Sequence, residues 1–402
     1  MSALLNRLCH VGFHVHEGQQ LVSNLVHKFG FELFASRIAE WSRQLAVRRG
    51  DVVFLVNEKL KPVGGEVPPV SSCGNCKDKG ILYDVDLQHI VSTASNICFE
   101  TEDVPGISQS LQERGCQILI PPTTVTDEVG HVTYSVVRSI VGNVSHTLLD
   151  RSEYCGPFLP GFHVVEGAPK KFQEPREVMR FDHITYACPQ GTSQAVLNWY
   201  KHCFGFHRFL IHQRDNAAEG YRIQGAGVGL RLTAMQYNGN GFTSPDHDCK
   251  FVLAESLPEH GNNQVDTFLK QHGGAGIQHV ALYTKDIVGT AATMIKSGVN
   301  FFKPPSSYYN QKNKEQEIWR AGQDLQFLKD NGILLDAEVD GEGSSSSPGF
   351  HRKPYLMQIF TEPLFTEETF FLELIQRCRA RGFGEGNVRA LWQSVQDHMD
   401  QQ

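Results

Sequence analysis

Phe181-Asp182-His183-Ile184-Thr185-Tyr186 is an apolar run broken by one acid and one imidazole, and His202-Cys203-Phe204-Gly205-Phe206 follows it. The same arrangement occurs near the start of the chain, where Leu8-Cys9-His10-Val11-Gly12-Phe13 leads to His27-Lys28-Phe29-Gly30-Phe31. Each copy reads as a strand carrying a histidine, a helix-like segment, then Phe-Gly-Phe. A second pair matches in the same way. Asn96-Ile97-Cys98-Phe99 precedes a helical stretch and Ile120-Pro121-Pro122, while Gln278-His279-Val280-Ala281-Leu282 precedes another and Lys303-Pro304-Pro305. His10 and His183 stand 173 positions apart, and Asn96 and His279 stand 183 apart. Such self-similarity marks an internal duplication. The chain divides into two halves of two modules each, every module a strand, a helix and several strands separated by Gly/Pro/Asn turns. The pattern predicts an α+β protein on curved mixed sheets.

Outward from these runs, the first half spans 7–153 and the second 180–378. Pro157, Pro160, Pro169 and Pro175 mark residues 155–178 as a linker, and Ser344 to Ser347 lie in an irregular surface loop over 337–354. Val388, Leu391, Trp392 and Val395 follow helical spacing, predicting a C-terminal helix within 379–402 that lies on the body. With 402 residues, 40% hydrophobic and 20% charged, the chain is long enough for more than one globular unit. A net charge of −7 without a Lys/Arg block argues against nucleic acid as a partner. No run of apolar residues is long enough for a transmembrane helix. The ten cysteines are scattered and read as reduced thiols. Arg7, with no acid before Glu17, resembles a mitochondrial presequence, whereas the strand-like run from Leu8 speaks against one. Mitochondrial and cytoplasmic locations therefore both stay open.

Three polar residues interrupt strand-like runs in the second half: His183, His279 and Glu373, the last within Phe370-Phe371-Leu372-Glu373-Leu374-Ile375. Alternation places Phe371, Glu373 and Ile375 on one face. A buried carboxylate among apolar neighbours is costly unless paired or bound to a metal. Two histidines and one carboxylate on one face of an ion, with the opposite face open, is the ligand set of non-heme iron(II) oxygenases. Each of the three, taken alone, also fits a hydrogen-bonded core residue. The matching positions of the first half are His10, Asn96 and about Thr147, an incomplete set that reads as scaffold without metal.

The second half resembles the 4-hydroxyphenylpyruvate dioxygenase family. The resemblance rests on Phe181-Asp182-His183, Gly274 to Leu282, Pro305-Ser306-Ser307-Tyr308-Tyr309, Gln358-Ile359-Phe360-Thr361, Phe371 to Arg377 and Gly382 to Asn387. It covers about 180–395, with a weaker echo over 8–152. It implies the vicinal-oxygen-chelate fold, four βαβββ modules in two halves forming curved open barrels. It implies Fe(II) held by His183, His279 and Glu373. It also implies a 4-hydroxyphenyl 2-oxo acid and dioxygen as substrates, with oxidative decarboxylation and then hydroxylation of the same molecule. Carried over with it, Gln264 and Gln358 become hydrogen-bonders to substrate, Phe360 and Phe371 walls for the ring, and Phe383 and Asn387 parts of a helix closing the pocket. Each of these also fits ordinary core or loop packing.

Departures from the family pattern touch the pocket and spare the metal. Ala254-Glu255-Ser256-Leu257-Pro258 lacks the family's asparagine, Asn263-Gln264 replaces Ser-Gln, and Val388 replaces an aromatic residue. An aliphatic residue at Val388 resembles the related 4-hydroxymandelate synthases, which oxidise the benzylic carbon. The resemblance then implies 4-hydroxymandelate as product, serving ubiquinone headgroup synthesis at mitochondria. Homogentisate formation, extradiol ring cleavage and a non-catalytic scaffold are the alternatives, and a homodimer is compatible with the family.

Three weaker signals remain. Cys73-Gly74-Asn75-Cys76 is a lone Cys-x-x-Cys with no second pair. Gly225-Ala226-Gly227-Val228-Gly229 fits a bend between strands better than a nucleotide loop. His14 and His16 are compatible with an adventitious surface metal site.

Overall fold

The structure is a computed structural model that describes residues 5–60, 80–85, 89–165, 179–211, 215–225, 228–237, 249–257, 263–311, 313–337, 354–367, 369–384 and 386–390. Cys73 and Cys76, and nearly all of the 337–354 loop, lie outside them.

The first half contributes β1 (Arg7–Val15), α1 (Gly18–His27), β2 (Glu32–Ile38), β3 (Ser42–Arg49) and β4 (Val52–Lys59). Its second module is β5 (Thr93–Glu100), α2 (Val104–Glu113), β6 (Ile118–Asp127), β7 (Gly130–Arg138) and β8 (Ser145–Asp150), and a short β9 (His163–Val164) follows. The second half repeats this with β10 (Met179–Cys188), α3 (Ser193–Phe204), β11 (His207–Phe209), β12 (Tyr221–Gly225), β13 (Val228–Tyr237) and β14 (Cys249–Ser256). After α4 (Gln264–His272) come β15 (Gly276–Thr284), α5 (Ile287–Lys296), the short helices α6 (Ser306–Tyr309), α7 (Lys314–Arg320) and α8 (Leu325–Asn331), then β16 (Leu334–Ala337), β17 (Tyr355–Phe360) and β18 (Phe371–Cys378).

Each half is one mixed sheet. The first runs β6-β7-β8-β5-β1-β4-β3-β2-β9 and the second β11-β13-β14-β10-β15-β18-β17-β16, with β12 paired to β13. Within a module the first and last strands are parallel neighbours, and the two modules meet through an antiparallel pair, β1 with β5 and β10 with β15. The duplication holds at the level of single residues. Gly12 faces Asn96 and Thr185 faces His279; bulges fall between Leu8 and His10 and between Phe181 and His183. On the next strand Cys98 faces Thr147, as Ala281 faces Glu373. The offsets read from sequence are therefore registers.

The Phe-Gly-Phe motifs end the first helix of each half. Gly30 and Gly205 take φ of 72° and 79°, a left-handed turn that a side chain resists. The flanking Phe29, Phe31, Phe204 and Phe206 are buried. One apolar core draws on both halves, with Phe13, Phe54, Phe99, Tyr186, Tyr200 and Phe251 among its members.

Several expectations are corrected. The stretch 155–165 is not linker: Phe158, Leu159 and Phe162 are buried and β9 pairs with β2, so the first half extends to Val164 rather than 153. The apolar side chains spaced between the prolines pull this segment onto the sheet. His14 is buried against Asp84 and belongs to no surface site. At the C-terminal end a helical turn covers 386–390 and holds Asn387 and Val388, while Phe383 precedes it; Leu391, Trp392 and Val395 lie outside the described residues. Gly225 and Gly229 lie on the paired antiparallel strands β12 and β13, and Gly227 lies outside the described residues. Among the described residues no helix is long and apolar enough to cross a membrane.

Candidate active site

The second sheet curves around three side chains from its central strands. His183 comes from β10, His279 from β15 and Glu373 from β18, all three buried. Their ligating atoms lie within 4.8 Å of one another. Glu373 Oε2 stands 3.4 Å from His183 Nε2 and 3.6 Å from His279 Nε2. An octahedral ion about 2.1 Å from its ligands sets neighbouring donors roughly 3 Å apart, so a metal fits with small adjustments.

Each donor is aimed by a second residue. Asp182 Oδ1 lies 2.9 Å from His183 Nδ1, and Gln278 Oε1 lies 3.3 Å from His279 Nδ1. An N–H donated from each Nδ1 leaves Nε2 as the lone-pair atom facing the ion position. Gln358 donates to Glu373 Oε1 at 2.8 Å, leaving Oε2 for the histidines. Asn387 in turn donates to Gln358 Oε1 at 2.9 Å, and the Tyr308 hydroxyl donates to Asn387 Oδ1 at 2.6 Å. The turn at 386–390 is thereby tied to the carboxylate ligand.

Asp182 is gripped by both arms of Arg377, each at 2.7 Å. Burial alone would raise its pKa, but the Arg377 charge and hydrogen bonds, with those of His183, hold it well below the usual carboxylate range. Burial also disfavours a charged His183, yet Glu373 and Asp182 outweigh it and raise that imidazole. His279 is held well below its ordinary value by burial and then by His183.

Aromatic rings surround it. Phe371 stacks on His279 with centroids 4.7 Å apart, and Phe383 meets His183 edge-on at 4.9 Å. Phe360 lies 6.4 Å from Phe371. Val388 packs in a cluster with Phe383, Phe268 and Val265, against the start of α4. Gln264, the first residue of α4, follows the capping residue Asn263 and has a buried Oε1 without a hydrogen-bond partner.

Sequence reasoning had brought together the triad, Gln358, Phe360, Phe371, Phe383 and Asn387, and these do converge. The resemblance makes Gln358 a hydrogen-bonder to substrate and Asn387 part of the helix that closes the pocket; in the structure Gln358 donates to Glu373 and Asn387 donates to Gln358. Sequence reasoning missed Asp182, Arg377, Gln278 and Tyr308. Asp182 and Gln278 each stand one residue before a candidate ligand and Arg377 four after one, which was the available signal.

Fold and donor set define a metal-site protein of the vicinal-oxygen-chelate type. Residues 180–317 match the family model described as Glyoxalase/Bleomycin resistance protein/Dioxygenase superfamily. The chain is 43% identical to the 4-hydroxyphenylpyruvate dioxygenase-like protein of Mus musculus, over 99% of this chain and 98% of that one, and 43% identical to the human protein of the same description. It is 29% identical to 4-hydroxyphenylpyruvate dioxygenase of Pyricularia oryzae, over 96% of this chain and 88% of that one. In fold it is similar to a triple mutant of 4-hydroxymandelate synthase from Streptomyces coelicolor, with a TM-score of 0.75, 23% identity and coverage of 98% and 99%. The chain belongs to the 4-hydroxyphenylpyruvate dioxygenase family.

Proposed function

We propose that this dioxygenase uses Fe(II) to convert 4-hydroxyphenylpyruvate and O2 into 4-hydroxymandelate and CO2, supplying the ubiquinone headgroup at mitochondria. The observation that carries the reading is the donor set: one carboxylate oxygen facing two imidazole Nε2 atoms, with its other oxygen already engaged by Gln358. His183, His279 and Glu373 would hold Fe(II), which would supply open positions for chelation by the 2-oxo acid and for dioxygen activation.

The chain's own residues supply position and exclusion. Asp182 and Gln278 fix the imidazole tautomers. Phe371 and Phe383 wall off water beside the histidines. The unclaimed Gln264 Oε1 is an acceptor for the phenol hydroxyl, next to the wall that Val388 helps to form. A short side chain at Val388 leaves the substrate ring room to tilt its benzylic carbon toward the oxidant. The second reading is homogentisate formation, favoured by the retained aromatic wall of Phe360, Phe371 and Phe383.

The test is anaerobic loading with Fe(II), addition of 4-hydroxyphenylpyruvate and oxygen, and chromatographic identification of the product, since the two candidates are isomers. Hydroxymandelate, absent with Glu373→Ala, supports the proposal. Homogentisate overturns the product assignment and keeps the site. No turnover with iron bound overturns the substrate.

A further inference from the structure

Outside the triad, the described residues hold one other set of ligating side chains this close: Cys9, His10 and Cys98 in the first half. We propose that these three bind a thiophilic divalent ion of the zinc class, making the N-terminal half a second metal-binding unit. Their convergence follows from the sheet. His10 faces Cys98 across the β1–β5 pair, so the two side chains share a face. Cys9 is the extra residue of the bulge between Leu8 and His10, and a bulge re-aims its side chain.

The distances suit a small soft ion. Cys9 Sγ lies 3.4 Å from His10 Nδ1, and all three ligating atoms fall within 4.8 Å. Tetrahedral zinc, with Zn–S of about 2.3 Å and Zn–N of about 2.0 Å, spaces its ligands roughly 3.5–3.8 Å apart. Side-chain rotations of about an ångström close the set. His10 is fully buried, yet neither ring nitrogen has a partner outside the cluster: Nδ1 meets only Cys9, and Nε2 has no hydrogen bond. Buried imidazoles are normally satisfied.

Charge and access agree. Two thiolates and a neutral imidazole make a complex with a divalent ion that carries no net charge, which burial tolerates. Soft thiolates select an ion different from the one that a His2Glu set prefers. Cys9 also lines a cavity of about 490 Å³ with Arg7, Arg151 and Phe158, which offers an entry path and room for a water as fourth ligand. The set shares only His10, the counterpart of His183, with the catalytic one. Asp182 stands where Cys9 does and Ala281 where Cys98 does, and Asp182 is turned to Arg377 instead.

The full chain, stripped of metal under anaerobic reducing conditions, is titrated with Co(II) alone. Thiolate ligation gives an intense near-ultraviolet charge-transfer absorption that a His2Glu site lacks, so the readout is independent of the proposed activity. Expected are two ions per chain with the thiolate band, which Zn(II) then bleaches. Glu373→Gln keeps the band and binds one ion. Cys98→Ser, or Cys9→Ser should the first variant not fold, loses the band and binds one ion at the triad. A single ion without the band overturns the proposal. So does a band that survives both serine variants, or a Cys9–Cys98 disulfide found by peptide mass in the reduced, metal-free protein.

Discussion

The two halves are the same scaffold put to opposite uses. In the second, the positions of His183, His279 and Glu373 point buried donor atoms at one another. In the first, the equivalent Asn96 and Thr147 close on the chain itself. Asn96 donates to Asp84 at 2.9 Å and Thr147 donates to the Tyr83 carbonyl at 2.7 Å. Asp84 also accepts from Asn57 at 3.2 Å and meets His14 Nε2 at 2.8 Å. Tyr83, fully buried with φ of 63°, packs on Tyr134 and donates to the Pro160 carbonyl. The chain supplies in one bowl what an ion and a substrate would supply in the other. A βαβββ pair leaves a polar hollow that must be satisfied by something, and the filling decides whether the half is structural or chemical.

Breaking the comparison on the chemical side gives the largest effect. Glu373→Gln removes the anionic ligand while keeping the size and the Gln358 contact. Retention of loaded Fe(II) after gel filtration should be lost, and turnover in the proposed reaction should fall on the order of a thousandfold or more, since a catalytic metal contributes several kcal/mol to the transition state. Compared metal-free, wild type and variant should differ little in thermal stability, because only the native state's bound ion is lost. A variant that keeps both iron and rate would show that the triad is not the centre.

The mirror-image experiment is Asp84→Ala. It removes the partner of His14 Nε2, an acceptor of the Asn57 amide and one of the three acceptors of the Asn96 amide, and loss of one partner from a buried charged network costs about 3–5 kcal/mol. Urea unfolding should show that loss, with triad metal content unchanged. Lost activity with stability intact would mean the first bowl serves chemistry too.

Asp182→Asn sharpens the comparison at the bulge that both halves share. The amide cannot pair both Arg377 and the His183 N–H as the carboxylate does. Metal affinity should drop about 10–100-fold, as for other partners of metal-bound histidines. Isothermal titration with Fe(II) or Co(II) measures it, and an unchanged affinity would reduce Asp182 to packing.

How much of this was legible follows from what kind of signal each feature left. The registers were legible, because polar residues breaking apolar strands recur at fixed offsets. The triad was legible for the same reason, and Thr147 was correctly matched to Glu373. The plug at Tyr83 and Asp84 was not, because it comes from an irregular segment with no period, and only the fold carries it into the bowl. Asp182 and Arg377 lie far apart in sequence and meet through a bulge that strand alternation cannot foresee. Gln358 reads identically as a contact to substrate or to Glu373, and only geometry tells them apart.

The smallest effect concerns the joint between the halves. His146, one residue before Thr147 on β8, points away from the bowl and packs against Trp199, Tyr200, Phe204 and Phe251 of the second half. Its Nε2 lies 2.7 Å from the Tyr200 hydroxyl. Leu372 stands at the equivalent position of the second half and carries no titratable group. Burial pulls His146 down to about 3, against about 6.5 in an unfolded chain. Between those values the unfolded state holds a proton that the folded state does not, so stability rises with pH there and falls on acidification. From pH 7 to pH 5 this one group should cost about 2 kcal/mol. His146→Phe keeps a ring in place and loses the Tyr200 contact, which lowers stability at both pH values. What it should abolish is about 2 kcal/mol of the difference between them, read by urea unfolding at pH 7 and pH 5. An equal pH dependence in wild type and variant would mean that His146 titrates freely, and that the joint is open to water where the structure shows it closed.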